Sequence, residues 1–453
     1  MVHGCALRES IATLPSMKSA LLLSVLACTA ALASAADNWP QFRGPAGDGR
    51  SDAKGLPVTW SETENVKWKT PIHDKGWSQP VIWGNDIWLT TATSNGTALF
   101  VLTLDKNSGK ITRDVKLFEA QQPELWMRYN SYASPTPVIE EGRIYITFGE
   151  AGTACLDTKT GAKLWERRDL KCNHYRGAGS SPILFNQLLI LHFDGADEQF
   201  VVALDKTTGK DVWKVKRSTD YRDLDAAGKP KAEGDLRKGY ATGQIAIIEG
   251  KPVLLSNGAK AHYGYDPLTG KELWQVENQP FHSTGARPLF GHGLIFFSGG
   301  FSKGHFYAIK PPAASAWKPG NILDASKESD PAPGKPQLAW KLTKGVPETP
   351  SPILHGDHLY LVDNSGFASA VEAKTGKVLW SERVLKAVYA SPVFADGRIY
   401  AADREGKCVV LAAAPEFKLL GESKLDGPIE ASPAISGKAL YLRTAKTLYR
   451  IEQ

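Results

Sequence analysis

Ala203-Leu204-Asp205-Lys206-Thr207-Thr208-Gly209-Lys210-Asp211-Val212-Trp213 is the stretch that decides how this chain folds. It returns as Tyr263-Gly264-Tyr265-Asp266-Pro267-Leu268-Thr269-Gly270-Lys271-Glu272-Leu273-Trp274. An apolar strand runs into an acid, a Thr-Gly turn reverses it, and a second strand carries a Trp. Asp157 and Trp165, Asp205 and Trp213, Asp266 and Trp274, and Glu372 and Trp380 all stand eight apart. Gly161, Gly209, Gly270 and Gly376 each follow the acid by four, where the hairpin needs a left-handed residue.

Upstream of each copy lies a Pro-led apolar strand, a Gly turn and another strand. The strand-opening prolines are Pro80, Pro137, Pro182, Pro288, Pro352, Pro392 and Pro433; the unit at Gln244-Ile245-Ala246-Ile247 has lost its own. Proline suits a first strand position, where its missing N–H breaks no ladder bond. Short strands repeating every ~40–60 residues describe a β-propeller. The units predict an all-β, eight-bladed propeller of four-stranded blades over 65–453. The last unit ends one strand short, and Asn65-Val66-Lys67-Trp68-Lys69 is an unpaired outer-strand pattern. Pairing the two closes the ring and removes its exposed edges. Trp68, Trp165, Trp213, Trp274, Trp340 and Trp380 are then expected to dock between blades.

Two units are irregular. The first keeps Asp105 and Gly109 but has Arg113 in place of Trp, and the seventh, Leu411–Phe417, has neither Thr-Gly nor Trp. Residues 111–130 and 217–238 read as insertions between units, and the proline-rich 310–336 as a stiff surface loop.

Of 453 residues, 42% are hydrophobic and 23% charged, with net charge +6: a globular composition without a basic stripe for nucleic acid. Met17-Lys18-Ser19, an apolar run and Ala33-Ser34-Ala35 form a signal-peptide pattern over 1–35, with Met17 as an alternative start and 36–64 as an N-terminal extension. Val25-Leu26-Ala27-Cys28 is a loose lipobox, so a lipid anchor on Cys28 is the alternative to release. Either way the expected location is periplasmic or extracellular. No other segment is apolar enough to span a bilayer. Cys155, Cys172 and Cys408 remain after cleavage, an odd number with no CxxC.

The Asp-x-x-Thr-Gly-x-x-x-Trp rhythm resembles the pyrroloquinoline-quinone (PQQ) propellers over Trp68 to Ile451. Asn38-Trp39-Pro40-Gln41-Phe42-Arg43-Gly44-Pro45-Ala46-Gly47-Asp48-Gly49 resembles the opening of exported propellers of planctomycete-like bacteria. The superfamily holds both quinoprotein alcohol dehydrogenases and the non-catalytic BamB assembly lipoprotein. Its dehydrogenase branch implies PQQ on a tryptophan floor under two adjacent, disulfide-bonded cysteines, with Ca²⁺ and an Asp base. No two cysteines are adjacent in this chain. The expectation is therefore a non-enzymatic, monomeric, BamB-like scaffold with a protein or glycan partner and no cofactor. A PQQ- and Ca²⁺-dependent alcohol or sugar dehydrogenase is the alternative.

Residues just ahead of the strand-opening prolines should line the central funnel. They are Trp77, His174, Arg176, Tyr240, His282, Arg287, Glu348, Tyr389 and Glu430. Glu348 and Glu430 could pair as acid and base. No metal-ligand cluster is evident, and His355-Gly356-Asp357-His358 reads as a hairpin tip.

Overall fold

In a computed structural model the chain closes into eight sheets, each a propeller blade. The structure describes Met1 and residues 37–121, 130–301, 304–327 and 332–453. The predicted leader, with Met17 and Cys28, lies outside the described residues.

Every blade begins with a three- to five-residue inner strand: Val81–Trp83, Val138–Glu140, Ile183–Phe185, Gln244–Ile248, Leu289–Gly291, Ile353–His355, Val393–Ala395 and Ala434–Ser436. All but Gln244–Ile248 start immediately after their proline. In that fourth blade Gly243 takes the proline's place, and a Cβ there would stand 2.6 Å from the buried His192 ring. His355 pairs with His358 across the tip of blade six.

The ring closes through the N-terminal strand. Val66–Pro71 pairs antiparallel with Thr447–Ile451, so the last blade is built from both ends of the propeller. Five of the outer-strand tryptophans reach the turn before the outer strand of the next blade. Trp68 Nε1 donates to the Lys106 carbonyl at 3.1 Å, Trp165 to Lys206 at 3.0 Å, Trp213 to Pro267 at 3.1 Å, Trp340 to Ala373 at 3.0 Å and Trp380 to Ala414 at 3.2 Å. Trp274 is fully buried between blades four and five, and its N–H finds no partner among the described residues. Arg113 stands in register with the tryptophans, and its guanidinium donates to the Lys159 carbonyl of blade two. It does the seam work of the missing indole.

The two outer insertions differ from their sequence reading. Ile111–Glu119 is the outer strand of blade one, so an insertion can begin only after it. Within the proline-rich stretch, Ile322–Asp324 adds a parallel fifth strand to blade four. Leu323 drives this by packing into the apolar cluster around Trp274. Cys155, Cys172 and Cys408 are buried free thiols.

The extension 36–64 is part of the ring. Trp39 exchanges backbone hydrogen bonds with Ile82, the Pro40 carbonyl accepts from Ile139, and the Gly49 carbonyl accepts from Phe394. Arg50–Ser51 then runs parallel to Val393–Ala395 of blade seven. The segment thus crosses the axis of the propeller and fills it.

Candidate functional site

The site follows from how the blades meet at the axis. In six blades the residue two before the inner strand donates its backbone N–H to a side-chain hydroxyl at the matching position of the next blade. Gln79 donates to Thr136 at 3.0 Å, and Thr136 to Ser181, Ser181 to Thr242, Arg287 to Ser351, Ser351 to Ser391 and Ser391 to Ser432 all at 2.9 Å. The circuit is interrupted where the position holds Gln79 or Arg287, which have no hydroxyl. Both of those side chains instead grip the axial segment. Gln79 Oε1 accepts from the Arg43 amide at 2.7 Å, and Arg287 donates to the Phe42 carbonyl at 2.6 Å and to Gly243 at 2.9 Å.

Arg43 anchors the plug from the other direction. It is fully buried and donates to the carbonyls of Ser351 and Pro392 at 3.2 Å, Asp48 at 2.6 Å and Pro352 at 2.5 Å. Burial pulls its pKa down to about 10, opposed by Asp48. Carbonyl dipoles offset part of what desolvating a guanidinium costs. Gly47 and Gly49 sit at φ +70° and +82°, and a Cβ on either would collide with Arg287 or Arg43. The segment therefore fits the axis only with glycine at these places.

Above the plug lies a cavity of about 480 Å³, within the usual ~300–1,000 Å³ range of small-ligand sites. Phe42 forms part of its wall, as do Trp77, Arg176, Tyr240, His282, Glu348, Tyr389 and Glu430. Two predicted funnel residues are elsewhere. Arg287 is buried beneath the cavity because the plug's carbonyls attract its guanidinium. His174 turns outward against Cys172, 3.5 Å from Sγ, and borders a separate pocket of about 280 Å³ between blades one to three. Desolvation lowers its pKa to about 4.

One wall is a fixed stack. Trp77 and Tyr389 stack near-parallel, with centroids 5.9 Å apart and planes 21° apart. The Arg404 guanidinium lies 4.9 Å from the Tyr389 ring centre and donates to Glu430 at 2.7 Å. Burial raises the Glu430 pKa, with Arg404 and Lys75 opposing it. Arg176 and Asp235 form a second charged group in the lining. Arg176 is 3.9 Å from Asp235, which also pairs with the buried Lys238. Lys238 lies 4.3 Å over the Tyr175 ring, and desolvation together with Arg176 brings its pKa down to about 7. Burial, Lys238, Lys260 and Arg176 hold His282 at about 4. The Tyr240 hydroxyl is buried without a hydrogen-bond partner among the described residues. Asn364 accepts from the Glu348 and Thr349 amides at 2.9 and 3.2 Å, which fixes that loop.

Phe42, Asn130, Asp235, Phe301 and Asn364 line the cavity but were not foreseen. Phe42 belongs to the N-terminal extension, and Asp235 comes from the 217–238 insertion. Neither lies in the repeat that guided the search. Among the described residues no group of three His, Cys, Asp or Glu side chains could hold a metal ion.

An eight-bladed ring of this repeat with an axial funnel defines the class: a propeller of the PQQ-like architecture. The family described as outer membrane protein assembly factor BamB matches residues 62–277 and 263–415, and the chain belongs to it. A BamB of Legionella pneumophila is 29% identical over 109 residues, 24% of this chain and 28% of that protein. A quinoprotein ethanol dehydrogenase of Pseudomonas aeruginosa is 29% identical over 143 residues, 30% of this chain and 22% of its own length. The chain thus spans under a third of either relative. Among solved structures, BamB from Moraxella catarrhalis superposes with TM-score 0.56 at 14% identity, covering 86% of this chain and 97% of that one. Quinohemoprotein alcohol dehydrogenase from Comamonas testosteroni gives 0.52 at 12%, covering 94% and 82%. At such identities the likeness is one of fold. No helix among the described residues is long and apolar enough to cross a membrane.

Proposed function

We propose that this chain is an exported, non-enzymatic scaffold of the cell envelope, BamB-like in its work, that holds a protein or glycan partner at its funnel face. The observation that carries this reading is the plug. Phe42 and Arg43 close the axis from within, so the funnel is a preformed receptor with a fixed floor. Its charged groups also support the reading. Glu430 is held by Arg404, and Asp235 by Arg176 and Lys238, in pairs that shape a wall.

The second reading, a PQQ- and Ca²⁺-dependent dehydrogenase, draws on the sequence match to quinoprotein ethanol dehydrogenase. The funnel's residues do not fit that group. Calcium takes six to eight oxygen ligands, while among the described residues two of the three cavity carboxylates are committed to cations. Trp77 stands in a stack with Tyr389, and Phe42 rather than an indole closes the base. The test is to incubate purified protein with PQQ and Ca²⁺, then record the quinone spectrum and alcohol-dependent dye reduction across an alcohol panel. An unshifted spectrum and no reduction are expected. A shifted quinone band with turnover would replace the scaffold reading by the second.

A further inference from the structure

Resting on the binding reading above, the geometry points to an uncharged saccharide as the ligand of the funnel. A sugar ring would lie against Trp77, and its oxygens would take up the hydroxyl protons that ring the floor.

The floor carries the argument. Thr136, Ser181, Thr242, Ser391 and Ser432 are buried, and all five line the cavity. Each of their hydroxyls accepts one amide N–H from the preceding blade. A hydroxyl has one proton and two lone pairs, so accepting leaves its proton unspent. Among the described residues none of the five protons finds an acceptor. Buried donors without acceptors are costly. An oxygen-rich ligand at the axis would supply acceptors to blades two, three, four, seven and eight together.

The carbonyls at the axis, by contrast, are occupied. Those of Ser351, Pro352 and Pro392 accept from Arg43, that of Gly243 from Arg287, and that of Pro433 from Gln79. The axis is thus rich in donors and short of acceptors. A peptide would bring an N–H for nearly every carbonyl and would need an open strand edge to satisfy them. The axial edges of blades one, two and seven already hold residues 39–51. The ring and glycosidic oxygens of a sugar only accept, and its hydroxyls serve in either role.

The walls set the remaining chemistry. Trp77 stacks near-parallel on Tyr389, the Arg404 guanidinium lies 4.9 Å from the Tyr389 ring centre, and Arg404 is held by Glu430. The indole is therefore braced, and little of its freedom is left to lose on binding. Phe301, an exposed ring in the lining, comes from blade five, across an eight-bladed ring from blade one, where Trp77 stands. Aromatic faces with polar groups between them suit the C–H face of a pyranose. The charged groups of the lining are answered within the protein. Glu430 meets Arg404, Asp235 meets Arg176 and Lys238, and Glu348 and Arg176 each have another partner. A charged ligand would be desolvated there without an unpaired counterion among the described residues.

Titration calorimetry on the full chain tests the inference. The probes are neutral trisaccharides of glucose, galactose and mannose, trigalacturonate and triglucosamine as charged counterparts, and an uncharged tetrapeptide. At least one neutral trimer should bind, with an affinity that does not change with salt. Trp77→Ala should weaken it about tenfold, and Trp77→Phe should restore part of the loss. Ser391→Ala and Ser351→Ala separate the ligand's anchor from the circuit. Both remove the acceptor of a buried amide and should lower the melting temperature alike, but of the two only Ser391 lines the cavity. Ser391→Ala should therefore weaken binding about fivefold, and Ser351→Ala should leave it unchanged. Equal loss of affinity in the two serine variants would overturn the hydroxyl floor as the anchor. Binding of the charged trimers alone, or binding that falls with salt, would overturn the uncharged class. Binding of the peptide alone would overturn the saccharide and leave the scaffold reading standing. Binding of none of the probes would overturn this inference, whereas a productive PQQ complex would overturn the scaffold reading itself.

Discussion

Replacing Gly109 by alanine probes the closure of the ring at one atom. Gly109 lies at φ +72° in the turn of blade one, beneath Trp68 of the N-terminal strand that completes blade eight. Two costs add. An L-residue held in the left-handed region costs roughly 1–2 kcal/mol. The new Cβ would also stand 2.5 Å from Trp68 Cδ2 and 2.6 Å from Cε3, so the indole must move, which adds about 1–3 kcal/mol. Two other glycines separate these contributions. Gly142, at φ +78°, has nothing within 4 Å of where an alanine methyl would stand, and Gly161, at φ +76°, meets only the Arg113 stem at 3.3 Å. Urea unfolding should therefore show Gly142→Ala and Gly161→Ala losing roughly 1–2 kcal/mol and Gly109→Ala about 2–5 kcal/mol. In a Trp68→Ala background the penalty of Gly109→Ala should fall toward that of Gly142→Ala, because the indole is gone and only the Thr70 hydroxyl, 2.8 Å from the new Cβ, still has to give. Equal costs at Gly109 and Gly142, or no relief in that background, would refute the docking of Trp68 as the closure.

The plug and the histidines give two further predictions. Arg43→Ala should destabilise the ring by about 3 kcal/mol or more, since four carbonyls, three of them buried, lose their donor. Hydrogen exchange should rise across residues 38–51, and unchanged protection there would contradict the anchoring role. Burial holds His174 at about 4 and His262 at about 3, below the ordinary 6.5. Between these values and 6.5 the unfolded chain binds more protons than the folded one. Stability is thus fully present above pH ~6.5 and lost as pH falls toward 4, by on the order of 3 kcal/mol for each group. A urea midpoint that stays level between pH 7 and pH 4.5 would contradict this, and His174→Gln should flatten the slope.

Much of the blade architecture was legible because it is written in short-range terms. Pro before the inner strand, Gly in the turn and Trp on the outer strand each act within one unit or on its neighbour. Even so, the turn glycines carry a second duty that the spacing hides. Gly109, Gly209, Gly270 and Gly376 also leave room for the preceding blade's indole, at 2.5–2.7 Å from a would-be Cβ. Arg113 read as a defect because a guanidinium does not look like an indole, although both can donate to the next blade's carbonyl. The funnel was legible in part. The rule that placed Trp77, Tyr240 and Tyr389 in its wall also proposed Arg287 and His174. Those two turn away because the nearest carbonyls and the Cys172 pocket lie elsewhere.

The sequence alone determined the number of blades, the strand that closes the last one, and the positions that open each inner strand. These follow from a repeat whose hydrogen bonds and turns are local. The tertiary structure alone decided that the axis is shut, and that Asn38–Gly49 is what shuts it. Arg43 meets Pro352 and Pro392 across separations of 309 and 349 residues. No spacing rule reaches that far. The axis is the one place where all eight blades converge, so its contents depend on closure of the whole ring.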